Sequence, residues 1–112
     1  MLSSRNRIKK EKDLSRVFKS RKKFSDGKSL ILKISENNLE FSRFAFVVGK
    51  KVSKKAVQRN SIKRKLSEIA RTQMPGLDKG WDLILIALPG IKEEKNLEAA
   101  VISLFKKARI VK

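Results

Sequence analysis

The chain of 112 residues contains no cysteine and no histidine. Those absences exclude zinc fingers and knuckles, thiol catalysis and any histidine general base. They also exclude disulfides, which fits a reducing, cytoplasmic setting. Acidic side chains are scarce, and Asp78, Asp82, Glu93 and Glu94 are too scattered to suggest a metal site. Glycine numbers only five, and Gly49-Lys50-Lys51 lacks the glycine-rich cradle of a nucleotide-phosphate loop. The longest apolar run, residues 83–88, is far too short to span a bilayer. The N-terminal MLSSRNRIKKEKD has no apolar signal-peptide core, so no membrane partner is expected. Aromatics are few, and none form the paired arrangement that stacks bases on an RRM sheet. The expectation is a soluble single domain over residues 1–112 with no catalytic side chain of its own.

What the chain does have is positive charge. Lys and Arg total 29 against 11 Asp and Glu, a formal net charge of +18. Charge of that size repels itself in a compact domain and calls for a polyanionic partner. It is also uneven. Residues 1–23 carry ten basic and two acidic side chains, and residues 49–73 carry nine and one. Residues 24–48 balance, and residues 74–112 add only +2. Two patches therefore hold nearly all of the excess, as a nucleic-acid surface requires.

The hydrophobic pattern predicts the elements. Residues 1–8 read as a mobile basic arm. Residues 13–20 read as a short helix, with Leu14, Val17 and Phe18 on one face. A short strand is expected at Phe24, followed by an Asp26-Gly27 turn. Strands are expected over 29–35 and 42–48, joined by a polar hairpin connection at 36–40. In the second of these, Phe44, Phe46 and Val48 share one face and Ala45 and Val47 the other. Two apolar faces predict a position inside the sheet. A helix follows to about Gln73, stopped by Met74-Pro75-Gly76. A buried strand over 81–88 and a helix from Glu94 to about Arg109 complete the chain. The order α-β-β-β-α-β-α implies an α+β, two-layer sandwich. Three helices pack on a mixed four-stranded sheet, with a crossover helix between parallel strands.

The sharpest feature is the stretch from Val47 to Arg71. On a helical wheel, Ile62, Leu66, Ile69 and Ala70 fall on one side. Asn60, Lys63, Arg64, Ser67 and Arg71 fall on another, with Arg59 at the border. A merely solvated face mixes charge signs. This one presents cations, an amide and hydroxyls. Lys and Arg neutralise phosphates and release counterions, and Asn60 can read a 2′-OH or a base edge. A DNA-reading helix-turn-helix needs a partner helix across a short turn, whereas strands bracket this helix. RNA is the better-fitting partner, and no DNA is expected.

The central motif resembles the signature of the bacterial ribonuclease P protein component. It comprises Lys50-Lys51-Val52, Ala56-Val57, Arg59-Asn60 and Ile62-Lys63-Arg64. Asn6-Arg7, the helix DLSRVFKS, Arg43 and the strand WDLILIAL follow the same family order, so the resemblance covers essentially the whole chain. It implies a subunit of an RNA enzyme that removes the 5′ leader of precursor tRNA. The catalyst would be the ribonuclease P RNA, with Mg²⁺ held mainly by that RNA. It further implies that Arg59, Asn60, Lys63 and Arg64 meet the catalytic RNA, supported by Lys50, Lys51 and Lys55. Leu14, Arg16, Phe18 and Leu32 would line a leader-binding cleft. The family crossover is left-handed. The sequence departs from the family at Ser61, the second Arg of R-N-R, and at Leu14 and Leu32, where aromatics are common. A basic structural protein of ribosomal or other RNA is the alternative.

Overall fold

A computed structural model describes residues 2–112. The elements run α1 (Glu11–Phe18), β1 (Lys23–Ser25), β2 (Leu30–Glu36), β3 (Arg43–Val47), α2 (Ala56–Gln73), β4 (Trp81–Ala87) and α3 (Leu97–Lys107). The four strands form one sheet in the order β1-β2-β4-β3. β1 and β4 each pair antiparallel with β2, while β3 and β4 are parallel and joined through α2. The mixed sheet and three helices are those expected. The link between β2 and β3 is not a hairpin, because β4 lies between them. β4 takes the centre because Leu83, Ile84 and Leu85 are apolar on both faces and fully buried there.

Alternation along the strands sorts side chains between two layers. Leu30, Leu32, Ile34, Phe44, Leu83 and Leu85 face α2 and α3 and form the main core with Leu66, Ala70, Val101, Leu104 and Phe105. The opposite face carries a smaller cluster of Ile8, Val17 and Ile84, with Leu14, Ala45, Val47 and Ile86 packed against it. α1 covers part of that face only.

Two expectations fail together. β3 is an edge strand, not an interior one, and residues 2–8 are not a free arm. Leu2 is buried in the main core, and Ile8 is buried in the opposite cluster. Between them Arg7 bridges to Phe44, and the Ile8 N–H donates to the Phe44 carbonyl at 2.9 Å. Asn6 donates its amide to the Ser42 carbonyl at 2.8 Å. The segment thus staples over the exposed edge of β3. Its docking protects backbone groups that would otherwise invite another strand.

Gly90 allows the turn after β4 to touch the β1–β2 turn. A Cβ there would lie 2.4 Å from the Lys28 carbonyl oxygen. The β1–β2 turn is itself organised by Asp26. One of its carboxylate oxygens accepts the backbone N–H groups of Lys28, Ser29 and Leu30 at 2.9, 2.8 and 3.1 Å. The Ser29 hydroxyl donates to the other. Partial burial works to raise the Asp26 pKa, but the Ser29 hydroxyl and the three backbone donors outweigh it and hold the group at about 2. The folded-state value lies below the ordinary 3.8, so this turn stabilises the fold above that pH and loses its contribution as pH falls through about 2. Asp26→Asn should therefore flatten the decline of the thermal midpoint between about pH 4 and pH 2. A variant whose midpoint declines as steeply as the parent's over that range would contradict the assignment.

Candidate RNA interface

The basic helix forms where its sequence requires. Residues 48–55 fold back before it because Val52 and Ser53 are buried anchors. The Val52 N–H reaches the Gly49 carbonyl at 3.1 Å, and the Ser53 hydroxyl accepts the Lys55 N–H at 3.2 Å. With Val52 and Ser53 turned inward, Lys50, Lys51, Lys54 and Lys55 are left exposed around the start of α2. Asn60, Lys63 and Arg64 continue the exposed surface along the helix. Val57 stands on the same outer side, 77% exposed, and offers an apolar contact amid the charge.

Three residues of this helix behave differently from their wheel positions. Arg59 is half-buried and donates to the Ser53 carbonyl at 2.9 Å, so it braces the loop. Ser67 is buried rather than displayed, as are Leu66 and Ala70 of the same helix. Arg71 is engaged by Glu68 at 3.0 Å, and that carboxylate offsets its charge on the surface.

The second candidate surface is the sheet face beside α1. Phe18, at the end of α1, is 39% exposed. The Lys33 ammonium lies 5.6 Å from its ring centroid and donates to the Phe18 carbonyl at 2.8 Å. Leu14 is half-buried in the small apolar cluster. Leu32 is the exception: it is fully buried on the α2–α3 face, so it cannot line a cleft beside α1. The residues that do face α1 are its strand neighbours Ile31 and Lys33. Pairing aligns Ile31 with Ile86 and Ile86 with Val47 across three strands. All three are half-buried, so this row is an apolar floor open at one side. Val47 leads through Val48 and Gly49 directly into the basic loop, so floor and cations adjoin. The signal was present in the alternation of LILKISE, where Ile31, Lys33 and Ser35 form one set.

Arg16 is not free to line that floor. It donates to the Asp82 carboxylate and, at 2.7 Å, to the Glu36 carbonyl. Asp82 is fully buried and also takes a two-pronged contact from Arg43 at 2.8 and 2.6 Å and the Asn37 amide at 2.9 Å. Arg43 reaches on to Asp13 at 3.3 Å. The hydrogen bonds it donates to the Asp82 carboxylate raise the Arg43 pKa above its already high value. This cluster ties both turns of α1 to the sheet and fixes where Phe18 ends up.

Among the described residues no group of acidic side chains could hold a metal ion, and no helix is long and apolar enough to cross a membrane. The family model described as Ribonuclease P matches residues 2–109. The chain belongs to the ribonuclease P protein family. A ribonuclease P protein component from Alkaliphilus oremlandii is 35% identical over 108 residues, covering 95% of this chain and 93% of the relative. Among solved structures, a Staphylococcus aureus RNase P protein mutant with defective mRNA degradation activity superposes with a TM-score of 0.85 at 26% identity. That match covers 95% of this chain and 90% of the other. The RNase P protein from Thermotoga maritima in complex with 1-(4-fluorophenyl)-2-thiourea gives 0.80 at 27% identity, covering 90% and 98%.

Proposed function

We propose that the protein is the protein subunit of ribonuclease P, the endoribonuclease that matures the 5′ end of tRNA. In this reading the α2 face binds the enzyme's catalytic RNA, and the floor beside α1 receives the single-stranded leader of precursor tRNA. The observation that carries it is the adjacency of two unlike surfaces. One is a run of exposed cations around the start of α2, and the other is the open apolar row of Ile31, Ile86 and Val47 on the sheet face that α1 partly covers. The cations suit a folded RNA, which is recognised through backbone phosphates and 2′-hydroxyls. The apolar row suits unpaired bases, which are held by stacking and by flanking cations such as Lys33.

Lys50, Lys51, Lys55, Lys63 and Arg64 would neutralise phosphates, with Asn60 offering donor and acceptor together. Arg59 would offer its other guanidinium donors while holding the loop through Ser53. Leu14 packs from α1 into the apolar cluster on that same face, and Arg16 positions α1 through Asp82 rather than touching the leader. The Mg²⁺ that such an enzyme uses to activate water would be held mainly by the RNA, and the protein side chains would orient substrate and screen charge. The setting is the cytoplasm. A role in ribosomal or other structural RNA would use the α2 face alone and leave the apolar floor unexplained.

The test is the affinity of the reconstituted holoenzyme for precursor tRNA with its leader and for mature tRNA. Phe18→Ala should weaken precursor binding by about 1–3 kcal/mol, the worth of one base–aromatic stack. It should leave mature tRNA binding unchanged. Equal loss for both ligands, or no preference for precursor in the parent, would count against the leader assignment.

A further inference from the structure

A groove runs between α2 and the start of α3, on the flank of α2 away from Lys63. It has a volume of about 480 Å³, and Ser61, Ile62, Lys65, Lys92, Lys95 and Leu97 line it. Lys65 lies two residues beyond Lys63, which places it about 160° around the helix from that side chain. Lys92 and Lys95 come from the turn before α3. All three lysines are exposed, and none makes an ion pair with another described residue. Glu94, the acidic side chain in the groove, is half-buried and accepts the Asn96 N–H at 3.3 Å. Half-buried Ile62 and Leu97 give the floor an apolar surface.

Three unpaired lysines against one carboxylate leave the open trough net positive, so it attracts a phosphodiester backbone and gains little from a neutral surface. The flexible ammonium groups suit phosphates along an irregular strand, and the apolar floor suits the face of a sugar or base. We infer that this groove is a second RNA contact, which seats a strand of the catalytic RNA so that α2 is gripped on both flanks. The inference rests on the subunit reading above. It assigns Lys65, Lys92 and Lys95 to RNA binding.

The absence of native cysteine makes the test direct. Lys92→Cys and, as a reference on the outer face, Val57→Cys each give one attachment point for an iron–EDTA hydroxyl-radical source. Each is assembled into holoenzyme with a bacterial ribonuclease P RNA and precursor tRNA. The Lys92 probe should cut the catalytic RNA at a discrete stretch that the Val57 probe does not cut. Cleavage from Val57 without cleavage from Lys92 would overturn the groove contact and leave the subunit reading standing. Lys92 cleavage confined to the precursor tRNA would also overturn it. Silence from both probes would sink both readings. Separately, Lys65→Ala/Lys92→Ala/Lys95→Ala should reduce the slope of log affinity against log salt by about 2. An unchanged slope in the folded variant contradicts the groove contact.

Discussion

Asp82→Ala should lower the unfolding free energy by about 3–5 kcal/mol, the cost of breaking a buried ion pair by removing one partner. Asp82 is fully buried and is contacted by Arg43, Arg16 and Asn37. Its loss strands the Arg43 guanidinium, only 18% exposed, with Asp13 as its remaining partner at 3.3 Å. Domains of this size carry about 5–15 kcal/mol in total, so the thermal midpoint should fall by on the order of 15 °C. Precursor binding should fall with it even below the new midpoint, because α1 loses the anchor that places Phe18. Calorimetry on the purified protein decides the first part. A midpoint within about 3 °C of the parent would show that the cluster contributes little beyond an exposed pair.

The largest effect on binding is expected from the other surface. Replacing Lys50, Lys51, Lys63 and Arg64 by alanine removes four exposed cations while leaving the buried anchors Val52, Ser53 and Leu66 in place. Each phosphate contact contributes about 0.7–0.9 to the salt slope, so the slope should become less steep by about 3. Between 50 and 200 mM salt the parent should then lose on the order of 100-fold more affinity for ribonuclease P RNA than the variant loses. Titrations across a salt series measure this. Parallel lines for parent and variant would mean that these side chains meet water rather than RNA.

The elements were largely legible because their periodicities are clean. Wheel positions of Ile62, Leu66, Ile69 and Ala70 located the inner side of α2, and WDLILIAL announced a strand buried on both faces. The less legible features depended on what covers a surface. Phe44, Phe46, Ala45 and Val47 showed two apolar faces on β3, but alternation does not say that its edge is closed by residues 2–8. Those residues looked like an arm because their charges dominate, yet Leu2 and Ile8 are the parts that pack. Leu32 and Ile31 are equally apolar, so only the topology decides which of them faces α1. Arg16 carried no mark of its attachment to Asp82, since their separation of 66 residues hides the pair from any local pattern. The basic motif, by contrast, could be read directly, because exposure of lysines next to a helix start needs little tertiary context.

The most direct test is cleavage of a leader-bearing precursor tRNA by a bacterial ribonuclease P RNA at low Mg²⁺, with and without this protein. The protein alone should cut nothing. Its addition should restore cleavage at the mature 5′ end, and the restoration should shrink when the leader is shortened to one nucleotide. If the RNA gains no activity at any protein concentration, the subunit role is wrong, and the basic face serves some other RNA.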